Sequence, residues 1–277
     1  MLSYQHQYHA GNFADVHKHI ALVALLRALQ AKPAPLCYVD AHAGSGVYDL
    51  DSAEARKTGE ADAGVCRLWQ TGDLPETVNG YVAILRDLNT GSGLRRYPGS
   101  PALAAALLRD NDRAILMELH PRELEALRGC FKGDRRIAIH MRDSYEGLPA
   151  LLPPPVKRGL VLLDPSYEIK SEYDDIAGLL QKAHRRWGNA VYLLWYPLLP
   201  EGRHRHLLKR MHDSGMHKIL RSELRFPPRE HGMYGSGLVI VNPPWRFDNE
   251  LARAGEFLAQ RLAGCDGEHA IDWLAGE

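Results

Sequence analysis

The sequence is poor in cysteine, with four in 277 residues, at Cys37, Cys66, Cys130 and Cys265. No two of them form a CxxC pair. That spacing excludes a disulfide frame and a thiolate zinc site, and it suits a reduced, cytosolic compartment. Long apolar runs are missing as well. None approaches the roughly 20 residues that a bilayer span needs, and the opening "MLSYQHQYHAGN" has no apolar h-region of a signal peptide. Charge of one sign is absent too, since 34 basic residues face 34 acidic ones and the formal net charge is zero. A protein that coats nucleic acid non-specifically is basic, so a nucleic-acid contact here has to come from a local patch. There is no HExxH among the 14 histidines. His6, His9, His17 and His19 crowd the N-terminus, and without a thiolate pair they read as polar contacts to a ligand or to RNA, with no metal expected. No internal repeat occurs, and the one low-complexity tract, "LLPPPVKRG", reads as a surface loop.

What is present is an ordinary globular composition, 45% hydrophobic and 25% charged, in a length that fits one α/β domain carrying an insertion. Residues 15–31, "DVHKHIALVALLRALQA", place Ile20, Val23, Leu26 and Leu29 on one helical face, and "KPAP" ends the helix. Strands follow at "LCYVD", "RAILMEL" (113–119), "RRIAIHM" (135–141), "GLVLLD" (159–164), "AVYLLWY" (190–196), "HKILRSELRF" (217–226) and "GLVIVN" (237–242), with helical patterns between most of them. This alternation predicts a doubly wound, mostly parallel Rossmann-like α/β sheet with helices on both faces. One spacing is anomalous. The acid that ends the second strand, Glu118, comes 72 positions after Gly46, where about 20 are usual. Removing residues 47–98, which hold two amphipathic stretches, leaves Ser100 eighteen positions before Glu118. The expected organisation is therefore a main domain of 1–46 and 99–277, with 47–98 as an inserted helical subdomain. Ser100 is a natural N-cap for the helix that resumes the fold, and Pro101 suits its first turn.

The chemistry gathers at the strand ends. "DAHAGSGVY" carries Asp40, His42, Gly44 and Gly46 into a loop where glycine lets the backbone turn at positive φ and approach a ligand. The third glycine of a nicotinamide fingerprint is missing. Strand two ends in Glu118, placed to accept hydrogen bonds from a ribose diol. Strand three ends in Asp143 and Ser144, where an adenine amino group would be held, and strand four in Asp164. Four consecutive acidic strand ends on one sheet edge predict a nucleoside-bearing cofactor. Two tetrapeptides, "DPSY" at 164–167 and "NPPW" at 242–245, then compete for the catalytic position. Strand four lies beside strand one across the switch point of such a sheet, which favours Asp164. "NPPW" is expected to be a structural strand stop that packs Trp245.

These residues resemble the amino-group methyltransferases of class I, whose fourth motif is [DNS]-P-P-[YFW]. More closely, "YHAGNFADVHKH", "DAHAGSGVY", "YPGSP", "ELHP" and "DPSYE" together resemble the bacterial 23S rRNA adenine-N6-methyltransferases that modify A2030, over nearly the whole chain. Ser166 stands where the motif usually has a second proline, while Asp164, Pro165 and Tyr167 keep the contact groups. The resemblance implies S-adenosyl-L-methionine as cofactor, with His19, His42, Ser100, Glu118, Asp143, Ser144 and Asp164 around it. It implies 23S rRNA as substrate, the target adenosine being received by Tyr4, His6, Lys18, Pro165 and Tyr167, with Asp164 as the catalytic residue and Tyr167 stacked on the base. A cytoplasmic monomer with no protein or membrane partner is expected. The basic run 203–229 would supply a phosphate track, helped by Arg95 and Arg96. Two other readings stay open at this point: a DNA or small-molecule amino-methyltransferase, and a non-catalytic RNA-binding module on the same fold.

Overall fold

The computed structural model describes residues 5–91, 93–169, 171–227, 230–263 and 266–276. Tyr4, Cys265 and the 228–229 end of the basic run lie outside the described residues. The chain enters through helix α1 (Phe13–Gln30), whose N-cap Asn12 accepts the Asp15 amide N–H through its side chain. Strand β1 (Cys37–Asp40) follows, then the short β2 (Val47–Asp49), helices α2 (Ala53–Thr58), α3 (Glu60–Ala63), α4 (Val65–Trp69) and α5 (Glu76–Leu88), and β3 (Arg96–Pro98). From there strands and helices alternate: α6 (Ser100–Leu107), β4 (Arg113–Glu118), α7 (Pro121–Cys130), β5 (Ile137–Met141), α8 (Ser144–Leu151), β6 (Gly159–Leu163), α9 (Glu172–Arg186), β7 (Val191–Leu198) and α10 (His204–His212). The chain closes with β8 (Ile219–Arg225), β9 (Gly235–Val241), α11 (Phe247–Leu258) and β10 (Glu268–Ala275).

Eight strands form one sheet in the order β10-β8-β9-β7-β6-β1-β4-β5. β1 pairs in parallel with both β4 and β6, so the strand order reverses at β1 and opens a crevice there. β5, β4, β1, β6 and β7 are parallel, whereas β9 runs antiparallel to both β7 and β8, and β10 antiparallel to β8. The central strands read as unbroken apolar runs because both faces are covered. Val161 and Leu163 of β6 face a core shared with α8, α9 and α10, while Leu160 and Leu162 face one shared with α1, α6 and α11.

Two expectations need correcting. Helix α1 is not amphipathic with one buried face. Residues from Ala14 to Leu26 are all buried, because Ala21, Leu22, Leu25 and Leu26 pack on the sheet while Val16, Ile20 and Val23 pack on α4 and α5. A helix sandwiched between two layers is buried all round, and the polar residues Asp15, His17, Lys18 and His19 are buried with hydrogen-bond or ion-pair partners. The N-cap of α6 is Gly99, not Ser100, and no side chain caps it. The Ser100 hydroxyl instead donates to Asp40 Oδ2 at 2.7 Å.

No described residue of 47–98 enters the eight-stranded sheet; β2 and β3 pair only with each other, antiparallel, with Val47 opposite Pro98. The Gly99 N–H donates to the Gly46 carbonyl at 2.8 Å, so the two ends of the stretch meet. On that closure we propose that 47–98 is an inserted unit, docked on α1.

Candidate active site

Parallel strands put the C-terminal ends of β1, β4, β5 and β6 on one edge, and the loops leaving them bend over a cavity of about 500 Å³. Among the described residues, those expected to contact cofactor or substrate line it: His6, Lys18, His19, His42, Ser100, Glu118, Asp143, Ser144, Asp164, Pro165 and Tyr167. Asp40, counted with the acidic strand ends, does not, because its carboxylate is fully buried beneath the loop. The loop after β1 turns at Gly44 and Gly46, with φ of 62° and 83°. A side chain at Gly44 would run into the Tyr48 hydroxyl. The turn aims the Gly44 N–H at Glu118 Oε2, 2.8 Å away, and the His120 N–H holds the other oxygen at 2.7 Å. Burial raises the Glu118 pKa against those two backbone donors. The carboxylate is thus fixed in place with one lone pair on each oxygen still unused by these bonds. Asp143 caps α8 by accepting the Tyr145 N–H.

His42 links the strand ends. Its Nδ1 accepts the backbone N–H of Asp164 at 3.1 Å, so the ring proton sits on Nε2 and is shared with Ser144 Oγ at 2.9 Å. Burial lowers its pKa to about 4, which keeps the ring neutral and this tautomer fixed. Below it, Asp40 is fully buried and accepts from Tyr38 Oη, Ser100 Oγ and the His42 N–H. Burial outweighs those donors and pushes its pKa up to about 6.

Asp164 belongs to an ion-pair chain. Lys18 Nζ lies 2.5 Å from Asp164 Oδ2 and 2.9 Å from Asp15 Oδ1, and Asp15 Oδ2 meets His6 Nε2 at 2.8 Å. Burial alone would lower the Lys18 pKa, but the two carboxylates raise it above the ordinary range and hold the ammonium charged. Burial would likewise raise Asp15, yet His6 and Lys18 hold it well below the usual carboxylate range. Asp164 Oδ1 makes no hydrogen bond among the described residues, and the side chain, 15% exposed, stands at the cavity wall. Tyr167 is buried, its hydroxyl donating to the Trp195 carbonyl at 2.7 Å and its ring 4.4 Å from Tyr173. It forms a fixed wall of the cavity.

The crowded histidines disperse. His6 goes to Asp15, His9 to Glu60, His19 to the Tyr97 hydroxyl, and His17 to Ser222 and Ser236. Asp15 and Trp195 line the cavity without having been singled out from the sequence. Asp15 had a faint signal, the i,i+3 spacing to Lys18 on α1. Trp195 had none, since it reads as one more apolar residue of β7. The Lys18 ammonium sits 5.6 Å from its ring centre.

"NPPW" lies at the opposite edge of the sheet. β9 runs antiparallel to β7, pairing Val241 with Tyr192, so it ends where β7 begins. Asn242 adopts φ 56° and donates its amide to the Gly188 and Ala190 carbonyls, both at 2.9 Å. It is a strand stop, as expected, but Trp245 does not pack inward. It is 84% exposed, with the Arg246 guanidinium 5.9 Å from its ring.

The sequence profile of the family described as "Ribosomal RNA large subunit methyltransferase D, RlmJ" matches residues 33–275. The Haemophilus influenzae protein named "Ribosomal RNA large subunit methyltransferase J" is 40% identical, and the Escherichia coli protein of the same name 37% identical, each aligned over 100% of both chains. A crystal structure of a Legionella pneumophila protein, 37% identical, superposes with a TM-score of 0.89 over 96% of this chain and 98% of that one.

Proposed function

The chain belongs to the RlmJ family of large-subunit ribosomal RNA methyltransferases, and from that premise we propose that it is an rRNA methyltransferase that methylates the N6 amino group of an adenine in free 23S rRNA, A2030 by resemblance, using S-adenosyl-L-methionine. The observation that carries the reading is the placement of the Asp164–Pro165 turn, with Lys18 on its carboxylate, in one cavity with the Gly44 loop and Glu118.

The cavity fits the cofactor on its own chemistry. Glu118 offers two oxygens at the end of β4 that suit a ribose diol, the Gly44 turn leaves no room for a side chain beside them, and His120 Nδ1 in the same wall is a buried ring nitrogen without a partner among the described residues. Asp143 and Ser144 at the start of α8 would hold the nucleobase, with Ser100 and His42 behind the loop. When bound, the cofactor supplies a methyl group activated by its sulfonium, so no metal is required.

The protein's task is positioning. The lone pair of an adenine N6 is delocalised into the ring, and it has to be turned out of conjugation to react. Asp164 Oδ1 would accept one amino proton and the Pro165 carbonyl the other. The buried Lys18 ammonium occupies Oδ2, which fixes the carboxylate rotamer and leaves Oδ1 to the base. Trp195 and the Tyr167 wall would enclose the ring, a stacking contribution of roughly 1–3 kcal/mol. As the amine becomes cationic during transfer, the carboxylate stabilises it in a water-poor site. A paired base has to be splayed out first to enter the cavity.

The test is transfer of label from the methyl-labelled cofactor to protein-free total RNA, followed by mapping of the modified base, with adenine-containing duplex DNA in parallel. N6-methyladenosine at one 23S site is the expected product. Comparable turnover on the duplex would overturn the substrate assignment, and binding of RNA without any transfer would favour a non-catalytic module.

A further inference from the structure

A second cavity, about 350 Å³, adjoins the first along the same sheet edge. Leu198 and Tyr234 line it, while their chain neighbours Pro197, Leu199 and Met233 line the active-site cavity, so one ridge separates the two. Arg221, Glu223 and Arg225 reach it from alternate positions of β8, hence from one face of the sheet. His204 and Arg205 at the start of α10 close the other side.

The guanidiniums are pinned, not free to collapse. Arg221 is held by Asp272 through Nε at 2.8 Å and Nη2 at 2.6 Å. Arg225 donates from Nε at 3.0 Å and from Nη2 to Glu223. Glu223 is buried and also accepts the Tyr196 hydroxyl at 2.7 Å. Arg205, on the exposed side, makes no ion pair among the described residues. Arg221 is thus paired with Asp272 and Arg225 with Glu223, and Arg205 supplies the remaining positive charge of the cleft. His204 is 6% exposed, stacks on Tyr196 with ring centres 6.2 Å apart, and its buried Nδ1 has no hydrogen-bond partner among the described residues. The buried His204 ring nitrogen and the exposed Arg205 guanidinium line the same cleft, and both are donors that suit a phosphate oxygen.

We propose that this cleft binds a phosphodiester group of the RNA strand next to the target nucleotide, with Arg205 and His204 as its contacts and Arg221 and Arg225 as fixed charge behind them. The proposal rests on the methyltransferase reading above. It turns the broad basic run 203–229 into one phosphate subsite, placed a single ridge away from Asp164. Its role is to set the register of the strand so that the splayed base reaches the Asp164–Pro165 turn.

The experiment measures affinity of the full chain for a labelled 23S rRNA fragment across a salt series, for the parent, Arg205→Ala and, as a charge-matched control, Arg128→Ala on α7. Arg205→Ala should weaken binding about tenfold at low salt and reduce the salt slope by about one. It should raise KM for RNA while leaving the single-turnover rate at saturating RNA and S-adenosylhomocysteine binding as in the parent, and Arg205→Lys should restore the slope. A parent that methylates the fragment beside an Arg205→Ala variant with unchanged affinity and slope overturns the subsite and leaves the enzyme reading standing. Inorganic phosphate that binds the parent but not Arg205→Ala, with no change in RNA affinity between the two, would mark a free-anion site and overturn the RNA assignment. A parent that transfers no methyl group to any RNA removes the enzyme reading itself, and the subsite with it.

Discussion

Lys18 shares its charge between Asp15 and Asp164, so the loss of one acid does not strand it. Asp164→Ala should therefore leave a folded protein in which Lys18 still pairs with Asp15. What disappears is the acceptor that orients the N6 lone pair, and loss of a positioned acid–base group costs about 10²–10⁴ in rate. Single-turnover methylation of an rRNA fragment measures this, and a variant within tenfold of the parent would exclude Asp164 as the catalytic residue. Asn242→Ala makes the contrast, because its amide serves two carbonyls at the far edge of the sheet. Those carbonyls lose their donor and the residue keeps a positive φ, so the melting temperature should fall by a few degrees with turnover within a few-fold. An inactive Asn242→Ala alongside an active Asp164→Ala would move catalysis to "NPPW".

At the scale of elements, the strand ends were legible in the sequence because a buried parallel strand stops at a polar residue: Asp40 and Asp164 end fully buried runs and Glu118 a mostly buried one, while Asp143 follows the half-exposed edge strand β5. The insertion proposed for 47–98 was suggested by the distance from Gly46 to Glu118, which exceeds the usual spacing. Pairing between distant residues was not legible. β2 and β3 join residues almost fifty positions apart, and β10, "EHAIDWLA", is a half-buried edge strand with no apolar run to announce it. The direction of β9 was also hidden. The displacement of "NPPW" was anticipated from strand count, yet its cause is that β9 runs antiparallel. Ser100 shows the same limit on a smaller scale: its type suited a cap, but its hydroxyl answers the buried Asp40, which only the packing of α6 against β1 reveals. The Gly44 turn can be tested as an element. Gly44→Ala introduces a side chain at φ 62° that meets the Tyr48 hydroxyl, so the N–H should swing away from Glu118. Calorimetry with S-adenosylhomocysteine should show at least tenfold weaker binding with the circular dichroism spectrum of the parent. Undiminished binding would take this loop out of the cofactor site.

For the molecule as a whole, the buried histidines set the response to acid. Burial lowers the pKa of His17 and His19 to about 3, and of His42 and His269 to about 4. The unfolded chain takes up their protons near pH 6.5 while the folded one does not, so stability falls as pH drops below that value. Asp40 works in the opposite sense, since its folded pKa of about 6 lets the native state bind a proton first, and it regains stability on acidification from there. The His9–Glu60 pair also favours lower pH, but it is well exposed and solvent screens it. From pH 6.5 to 5 the two fully buried histidines lose roughly 3 kcal/mol between them and Asp40 returns roughly 1, an order-of-magnitude net loss of about 2 kcal/mol before His42 and His269 add to it. For a chain of this size that is a fall in melting temperature of at least about 3 °C, readable by calorimetry at constant ionic strength. His17→Gln should flatten the profile over this range, because Ser222 and Ser236 keep a neutral partner and one titrating ring is gone. A parent whose melting temperature is level from pH 7 to 5 would mean that these rings are hydrated or protonated in the native state, which the packing of α1 between the sheet and the α4–α5 layer does not allow.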